Sequence, residues 1–136
     1  MNEREILVCP PRDFVWTKLA AGQSQTQTIE EHIDCSPYDQ ADLVVRVHTD
    51  ATIPCFVQVN LRSDGFTHDD PGQDFFSDVL GTITLTGDQT APKYVTDTFT
   101  DGLGAMLAVQ VVAKQHDSTA TTFTARLSIG LVLRKT

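Results

Sequence analysis

The sequence predicts an all-β fold: an antiparallel, jelly-roll-like β-sandwich of about eight or nine strands, with one short helical turn near 71–79. Apolar and polar residues alternate with a period of two along several segments, as in strands with one buried face. Clusters of Pro, Gly, Asp and Ser separate these segments, and no long segment has the apolar period of a helix. Short strands divided by regular turns are typical of sandwiches and jelly rolls.

The chain of 136 residues is about one domain long. Its first part, residues 1–24, contains the apolar segments ILVC and FVWTK and is predicted to form an N-terminal arm or peripheral strands. Residues 25–136 are predicted to form the sandwich, beginning with the threonine-rich strand QTQTIEEHID. Pro10 and Pro11 are expected to mark a turn between strands.

Four segments in the middle of the chain alternate clearly: DLVVRVHT, PCFVQVNLR, GTITLTG and MLAVQVVAK. Residues between the core-facing positions, such as Arg46, Thr84 and Ala108, are expected to face outward. The residues expected to face the core are Leu43, Val45 and Val47, then Cys55, Val57, Val59 and Leu61, then Ile83 and Leu85, and finally Leu107, Val109 and Val111.

The last segment, TTFTARLSIGLVLRK, has the longest alternation and is predicted to be a central strand of its sheet. Its opposite face, which includes Thr124, Arg126 and Gly130, suits contact with water or with a neighbouring subunit. The apolar face consists of Phe123, Ala125, Leu127, Ile129, Leu131 and Leu133.

The stretch FTHDDPGQDFFSD, residues 66–78, is the segment most like a site in composition. Its order favours a helix start: Asp70 fits the N-cap, Pro71 the first helical position and Gln73 the third, as in a capping box. Phe75 and Phe76 would then pack the turn onto the sandwich. This arrangement is the basis for the helical turn predicted near 71–79.

Calcium binding is the alternative for the same region, because carboxylates are hard oxygen ligands that Ca²⁺ prefers. The spacing does not match that of an EF-hand loop, so we predict no metal or other cofactor. The calcium candidates kept under this alternative are Asp64, Asp69, Asp70 and Asp74.

The formal net charge of -8 makes nucleic acid and anionic membranes poor partners, so we expect neither, although a local basic patch around Arg126, Arg134 and Lys135 stays open. The apolar run near the start is shorter than the core of a signal peptide, and no stretch approaches the about 20 apolar residues of a membrane span. We therefore expect synthesis in the cytoplasm without a signal peptide, no contact with membranes, and incorporation into a particle if the chain is a shell component.

No catalytic residue is predicted. The sequence has no G-x-S-x-G nucleophile elbow, and the G-x-G in DGLGAM lacks the rest of a phosphate-binding fingerprint. Cys9, Cys35 and Cys55 lack the paired short spacing of a zinc site and are expected to be small apolar residues in strands or at strand ends, with one disulfide or a reactive thiol as the alternative. His48 is the one histidine to follow, since it could lie beside His32 of a neighbouring strand.

The segment IDCSPYDQADLVVRVHTD resembles one found in galactose-binding-like jelly rolls and related carbohydrate-binding modules. In those domains a short turn, here Asp34, Ser36, Pro37 and Tyr38, leads into an alternating core strand. The resemblance covers 18 of 136 residues and implies a jelly-roll fold, with glycan binding as an alternative function. Aromatic residues make up only 7% of the chain, which is few for the stacking platforms of sugar binders.

A sandwich with these properties resembles, in general style, decoration and shell proteins of virus-like particles. We therefore expect a non-enzymatic structural or assembly subunit whose partners are other protein subunits, in a homo-oligomer or a larger assembly. Small β-forming side chains on outer strand faces suit contacts between subunits. The N-terminal arm is expected to pack Phe14 and Trp16 on its own sandwich, with packing on a neighbouring subunit as the alternative. The candidate interface residues are Phe14, Trp16, Thr82, Thr84, Thr86 and Thr124.

Overall fold

The structure is a computed structural model that describes residues 3–16, 24–63, 78–100, 103, 106–114 and 122–136. The strands are β1 (Glu3–Trp16), β2 (Ser24–Asp34), β3 (Gln40–Val47), β4 (Ala51–Ser63), β5 (Asp78–Gln89), β6 (Lys93–Phe99), β7 (Met106–Lys114) and β8 (Phe123–Arg134). They form two four-stranded sheets: sheet A in the order β1-β8-β3-β6 and sheet B in the order β2-β7-β4-β5.

All six strand pairs are antiparallel, which confirms the predicted antiparallel sandwich. Consecutive strands lie in different sheets, except for β4 and β5, which are neighbours in sheet B. Each sheet is therefore built from strands far apart in sequence. This order is that of an eight-stranded jelly roll.

The core of the structure lies where the alternating sequence pattern predicts it. Leu127, Ile129, Leu131 and Leu133 of β8 are at most 1% exposed, and β8 lies between β1 and β3 as expected of a central strand. The core-facing residues predicted in β3, β4, β5 and β7 are likewise buried. Period-two patterning was therefore sufficient to assign the inner face of each sheet.

Strand β7 departs from strict alternation, because Ala108 and Val112 are buried although the pattern predicts them outward. Strand β7 lies between β2 and β4, and Ala108 is opposite Arg62 while Val112 is opposite Gln58. Small side chains flanked by longer ones in the middle of a sheet lose their exposure, even on the outer face.

The prolines at 10 and 11 do not end a strand as predicted: β1 continues through them, with register shifts between Leu7 and Cys9 and between Cys9 and Arg12. Strand β1 is at the edge of sheet A, where the missing N–H of proline breaks no pairing on the open side. Proline and a bulge on an edge strand also hinder edge-to-edge pairing with another chain.

The helical turn predicted near 71–79 lies outside the described residues at 71–77, and residues 78 and 79 are the first two of β5. The described part of the chain contains strands and no helix. Of the predicted N-terminal segment, residues 3–16 form β1 and pair with β8.

Candidate functional surfaces

The candidate threonines lie on both outer faces of the sandwich and do not form one surface. Thr84 and Thr86 are exposed on β5, the edge strand of sheet B, whereas Thr124 is exposed on β8 of sheet A. The Thr82 hydroxyl donates to Asn60 Oδ1 at 2.7 Å, and the Thr86 hydroxyl donates to the Cys55 carbonyl at 2.8 Å. Two of the four threonines therefore already serve to tie β5 to β4.

Phe14 and Trp16, the apolar interface candidates, point into the interior of their own chain. Trp16 stacks on Phe14 with ring centroids 5.7 Å apart and on Phe123 with centroids 4.8 Å apart. Phe14 is 1% and Trp16 0% exposed. The two rings thus close one end of the core and are not available to a partner.

The calcium candidates Asp64, Asp69, Asp70 and Asp74 lie outside the described residues. Among the residues that the structure does describe, no three His, Cys, Asp or Glu side chains are placed to hold a metal ion together.

A polar hollow that the sequence did not indicate lies between the β3–β4 and β5–β6 connections. Asp50, Thr52, Asp88 and Gln89 line it. Asp88 Oδ1 accepts from the Thr52 hydroxyl at 2.9 Å, and Asp50 Oδ1 accepts from the backbone N–H of Ala91 at 2.7 Å. Both carboxylates are thus engaged by donors of the chain itself, and they brace the loops at this end.

A second polar cluster surrounds Asp42 on the outer face of sheet A. Its Oδ1 accepts from the Thr98 hydroxyl at 2.7 Å, and its Oδ2 is in contact with Arg134 Nη1. Arg134 Nε also lies 3.8 Å from Glu3 Oε2. This network joins all four strands of sheet A, because Glu3 is on β1, Arg134 on β8, Asp42 on β3 and Thr98 on β6.

His48 and His32 are not on neighbouring strands, contrary to the expectation from sequence. His48 follows β3 of sheet A, whereas His32 is in β2 of sheet B. His48 Nε2 is 2.7 Å from the Ser128 hydroxyl. Desolvation, together with the positive charges of Arg46 and Arg126, lowers the pKa of His48, so this imidazole is neutral at neutral pH.

The three cysteines are buried, as the sequence predicts, and they are free in the structure. Burial raises the pKa of Cys9, with a smaller opposing effect from Arg12, and burial also raises the pKa of Cys55. A raised pKa keeps a thiol protonated, and the thiol is a far weaker nucleophile than the thiolate. The environments of Cys9 and Cys55 are therefore those of structural side chains.

The outer face of sheet A carries the most exposed apolar side chains of the described residues. Leu7 is 65% and Val15 54% exposed, both on β1. Leu7, Val44, Gly130 and Val132 line a shallow groove across the sheet. Tyr94 on β6 is 60% exposed at the far edge, with the Arg46 guanidinium 4.9 Å from its ring centroid. Sequence alternation gave no sign of the groove, since it follows from Gly130 between two apolar neighbours.

No protein-family model matches the sequence, and no curated protein matches it. Solved structures with a similar fold exist. The chain is similar to the VP2 subviral particle of infectious bursal disease virus, with a TM-score of 0.62 and 12% identity over 98% of this chain and 32% of that one. The structure of the Gx strain of the same virus gives a TM-score of 0.50 and 15% identity over 96% and 31% of the two chains.

A weaker likeness, with a TM-score of 0.45 and 11% identity, is to a CBM36-1 domain of a xylanase from the hindgut metagenome of Trinervitermes trinervoides; it covers 96% of both chains. The chain spans about a third of the length of the viral proteins it matches. At these identities the likeness shows the fold, and the predicted resemblance to jelly-roll β-sandwich domains is confirmed at that level. No helix within the described ranges has the length and apolar character needed to cross a membrane.

Proposed function

We propose that this chain is a non-enzymatic structural subunit: an accessory, decoration or shell component of a large, virion-like particle. The observation that supports this most is the likeness to the VP2 subviral particle, at a TM-score of 0.62 over 98% of the chain. A fold hosts many functions, so the proposal also depends on the surfaces of this chain. It implies synthesis in the cytoplasm and incorporation into the particle.

The polar groups of the described surfaces favour a structural role. The carboxylates of Asp42, Asp50 and Asp88 accept hydrogen bonds from neighbouring strands and loops. His48 is bonded to a serine hydroxyl and is flanked by arginines, an arrangement that disfavours the imidazolium that a general base must become. These groups stabilise the sandwich: Asp50 and Asp88 share one polar hollow, but each carboxylate there accepts from a donor of the chain itself.

The two edges of sheet A favour contacts through faces. Strand β1 has Pro10 and Pro11, and β6 carries Lys93 and Asp97 at the register positions of the core residues Val47 and Leu43. Prolines and inward-facing charges on edge strands oppose the addition of another strand. Subunits of this kind therefore associate through outer faces, where the exposed Thr84, Thr86 and Thr124 lie.

The test is the state of assembly of the whole chain. Multi-angle light scattering and negative-stain electron microscopy of the purified protein should show defined oligomers or particles. For a decoration protein, the chain should instead co-sediment with particles from its source. A protein that remains monomeric at the highest soluble concentration and binds no particle would contradict the proposal.

Glycan binding is the alternative, and the exposed ring of Tyr94 is the observation that favours it. Among the described aromatic residues, Phe56 is the other exposed ring, but it is on β4 of the opposite sheet, so the two cannot form one stacking platform. Because Trp16 is buried, its fluorescence is unsuited to report on a ligand, and calorimetric titration is the better assay. Saturable binding of a glycan by the wild type, lost in Tyr94→Ala, would favour this alternative.

A further inference from the structure

The apolar residues on the outer face of sheet A form a row across three strands. Leu7 of β1 is opposite Gly130 of β8, and Gly130 is opposite Val44 of β3. Because Gly130 has no side chain, Leu7 and Val44 lie on either side of a shallow groove. Val132, two residues after Gly130 on β8, also lines this groove. Leu7, which is 65% exposed, forms a contiguous apolar patch with Val44 and Val132, and such patches mark surfaces that a partner covers.

On one side of this row the face is acidic. The charged groups there are three carboxylates and one guanidinium, which gives a net charge of about -2 at neutral pH. Arg134 is held between Asp42 and Glu3, so the Glu5 carboxylate is left toward solvent at the border of the apolar row. The residues of this acidic end are Glu3, Glu5, Asp42 and Arg134.

On the other side of the row the face is basic. Arg46 and Arg126 lie there with Asp13, which is 3.4 Å from Arg126 Nη1, so the net charge is about +1. His48, on the same side, is neutral at neutral pH. The outer face of sheet A therefore runs from acidic through apolar to basic along the strand direction.

We propose that the outer face of sheet A binds the same face of a second copy of this chain, around a two-fold axis that follows the row of Leu7, Gly130 and Val44. The inference rests on the proposed function, since it names the partner and the surface that a structural subunit would use. An axis in the interface plane and across the strands reverses the strand direction. It places the apolar row of one copy against the apolar row of the other copy, and the acidic end of each face against the basic end of the other.

The charged rows next to the apolar row select this orientation, although the outermost rows oppose it, since Arg134 then lies toward Arg126 and Glu3 toward Asp13. With the two-fold axis along the strands, the acidic ends would face each other and repel, whereas an axis across the strands brings the row with Glu5 and Asp42 toward the row with Arg46. Strands of the two facing sheets then run antiparallel and nearly aligned, which is one of the two common ways in which sheets pack. The interface is isologous and closes at two copies.

The overlapping area is sufficient for a reversible dimer. The projected area of the face is roughly 500 Å² per copy. This value follows from four strands about 4.8 Å apart and eight residue steps of about 3.4 Å, between residues 126 and 134 of β8. The total of roughly 1,000 Å² is at the lower limit of specific interfaces. The dimer is therefore expected to form in a concentration-dependent manner.

The first experiment compares Leu7→Glu with Val15→Glu. Both side chains are exposed on the outer face of β1, so both variants should fold, but Val15 lies beyond the overlap at the end of the strand. Sedimentation of the wild type and of Val15→Glu should show dimers, while Leu7→Glu should raise the dissociation constant at least about tenfold. Fluorescence of the buried Trp16 verifies the fold of each variant.

The second experiment uses the position of the axis. Each Leu7 lies close to Leu7 of the other copy, so Leu7→Cys should form an intermolecular disulfide under mild oxidation, whereas Val15→Cys should not. The native thiols are buried and do not interfere. Any of three results would overturn the inference. Leu7→Glu could have the same mass in solution as the wild type, both cysteine variants could cross-link equally, or the wild type could be monomeric at every concentration.

These results are separable from those on the proposed function. A chain that co-sediments with particles while Leu7→Glu has no effect on its mass would retain the proposed function and refute this dimer. A dimer that is abolished by Leu7→Glu but binds no particle and forms none would retain the dimer and refute the particle role.

Discussion

The ring of Phe99 on β6 lies directly on Gly81 of β5, at the edge where sheet A meets sheet B. A β-carbon at position 81 would overlap the Phe99 ring. Strands β5 and β6 are the edge strands of their sheets and do not pair with each other. The contact of ring on glycine therefore closes this side of the sandwich without a hydrogen-bonded ladder, and it requires the absence of a side chain at residue 81.

Gly81→Ala is expected to destabilise the fold by about 1–3 kcal/mol, because the methyl group must displace an aromatic ring that packs against the core. Urea unfolding followed by Trp16 fluorescence measures this change. Gly130→Ala is the matched control: a β-carbon there would meet its nearest neighbour, the Ile6 carbonyl oxygen, at an ordinary 3.8 Å. This account would be refuted if Gly81→Ala and Gly130→Ala had the same free energy of unfolding at a concentration where the protein is monomeric.

The pair Asp39 and Thr136 should give a measurable pH dependence. Asp39 accepts from the Thr136 backbone N–H at 3.0 Å and from its hydroxyl at 2.8 Å, and these hydrogen bonds hold the pKa of Asp39 below its usual value. A depressed folded pKa stabilises the fold above the unfolded pKa of about 3.9, and this contribution is lost as pH falls through the folded pKa. Asp39→Asn should therefore lower the Tm above about pH 4 and have little effect at lower pH.

A carboxyl titration by NMR tests the cause. Thr136→Ala removes the hydroxyl donor and keeps the backbone donor, so it should move the pKa of Asp39 only part of the way back to the usual value. Titration of Asp39 at the usual aspartate value in the wild type would show that the hydrogen bonds do not form in solution.

Strand positions were predictable because the period-two pattern is set by burial on one face. Leu127, Ile129 and Leu131 face inward in any sandwich built from these strands, whichever strand is next to β8. Which strands are neighbours was not predictable: the sequence allows His48 to lie beside His32 on a neighbouring strand, but the two lie in different sheets. Pairing depends on contacts between strands far apart along the chain, and local alternation carries no information about them.

Local turn signals also failed where contacts with other strands determine whether a strand ends. Pro10 and Pro11 suit a turn, but at the open edge of sheet A they cost no hydrogen bond and the strand continues through them. The groove at Gly130 and the polar hollow at Asp50 and Asp88 are produced by cross-strand and loop neighbours. Candidate surfaces of this kind become visible only when the register is known.

The bond between Asp42 and Thr98 should be energetically coupled. Asp42 is 7% exposed and accepts from the Thr98 hydroxyl at 2.7 Å. Loss of either partner therefore leaves the polar group of the other without this hydrogen bond. A double-mutant cycle with Asp42→Ala and Thr98→Val should give a coupling free energy of about 0.5–1.5 kcal/mol. The control is Thr96→Val, two residues along β6 and opposite Val44, which should be additive with Asp42→Ala. Equal coupling in both cycles would show that the effect belongs to the strand and not to this bond.

The buried thiols should resist modification in the folded protein. Cys9 is 2%, Cys35 0% and Cys55 1% exposed, and burial raises the pKa of Cys9 and Cys55. A disulfide reagent such as DTNB should therefore react slowly with the native chain at neutral pH and titrate all three thiols in denaturant. Leu7→Cys provides an exposed thiol on the same strand as Cys9, and it should react fast at a concentration where the chain is monomeric. Rapid labelling of the native wild type would mean that the core opens readily, and fewer than three thiols in denaturant would mean that a disulfide had formed.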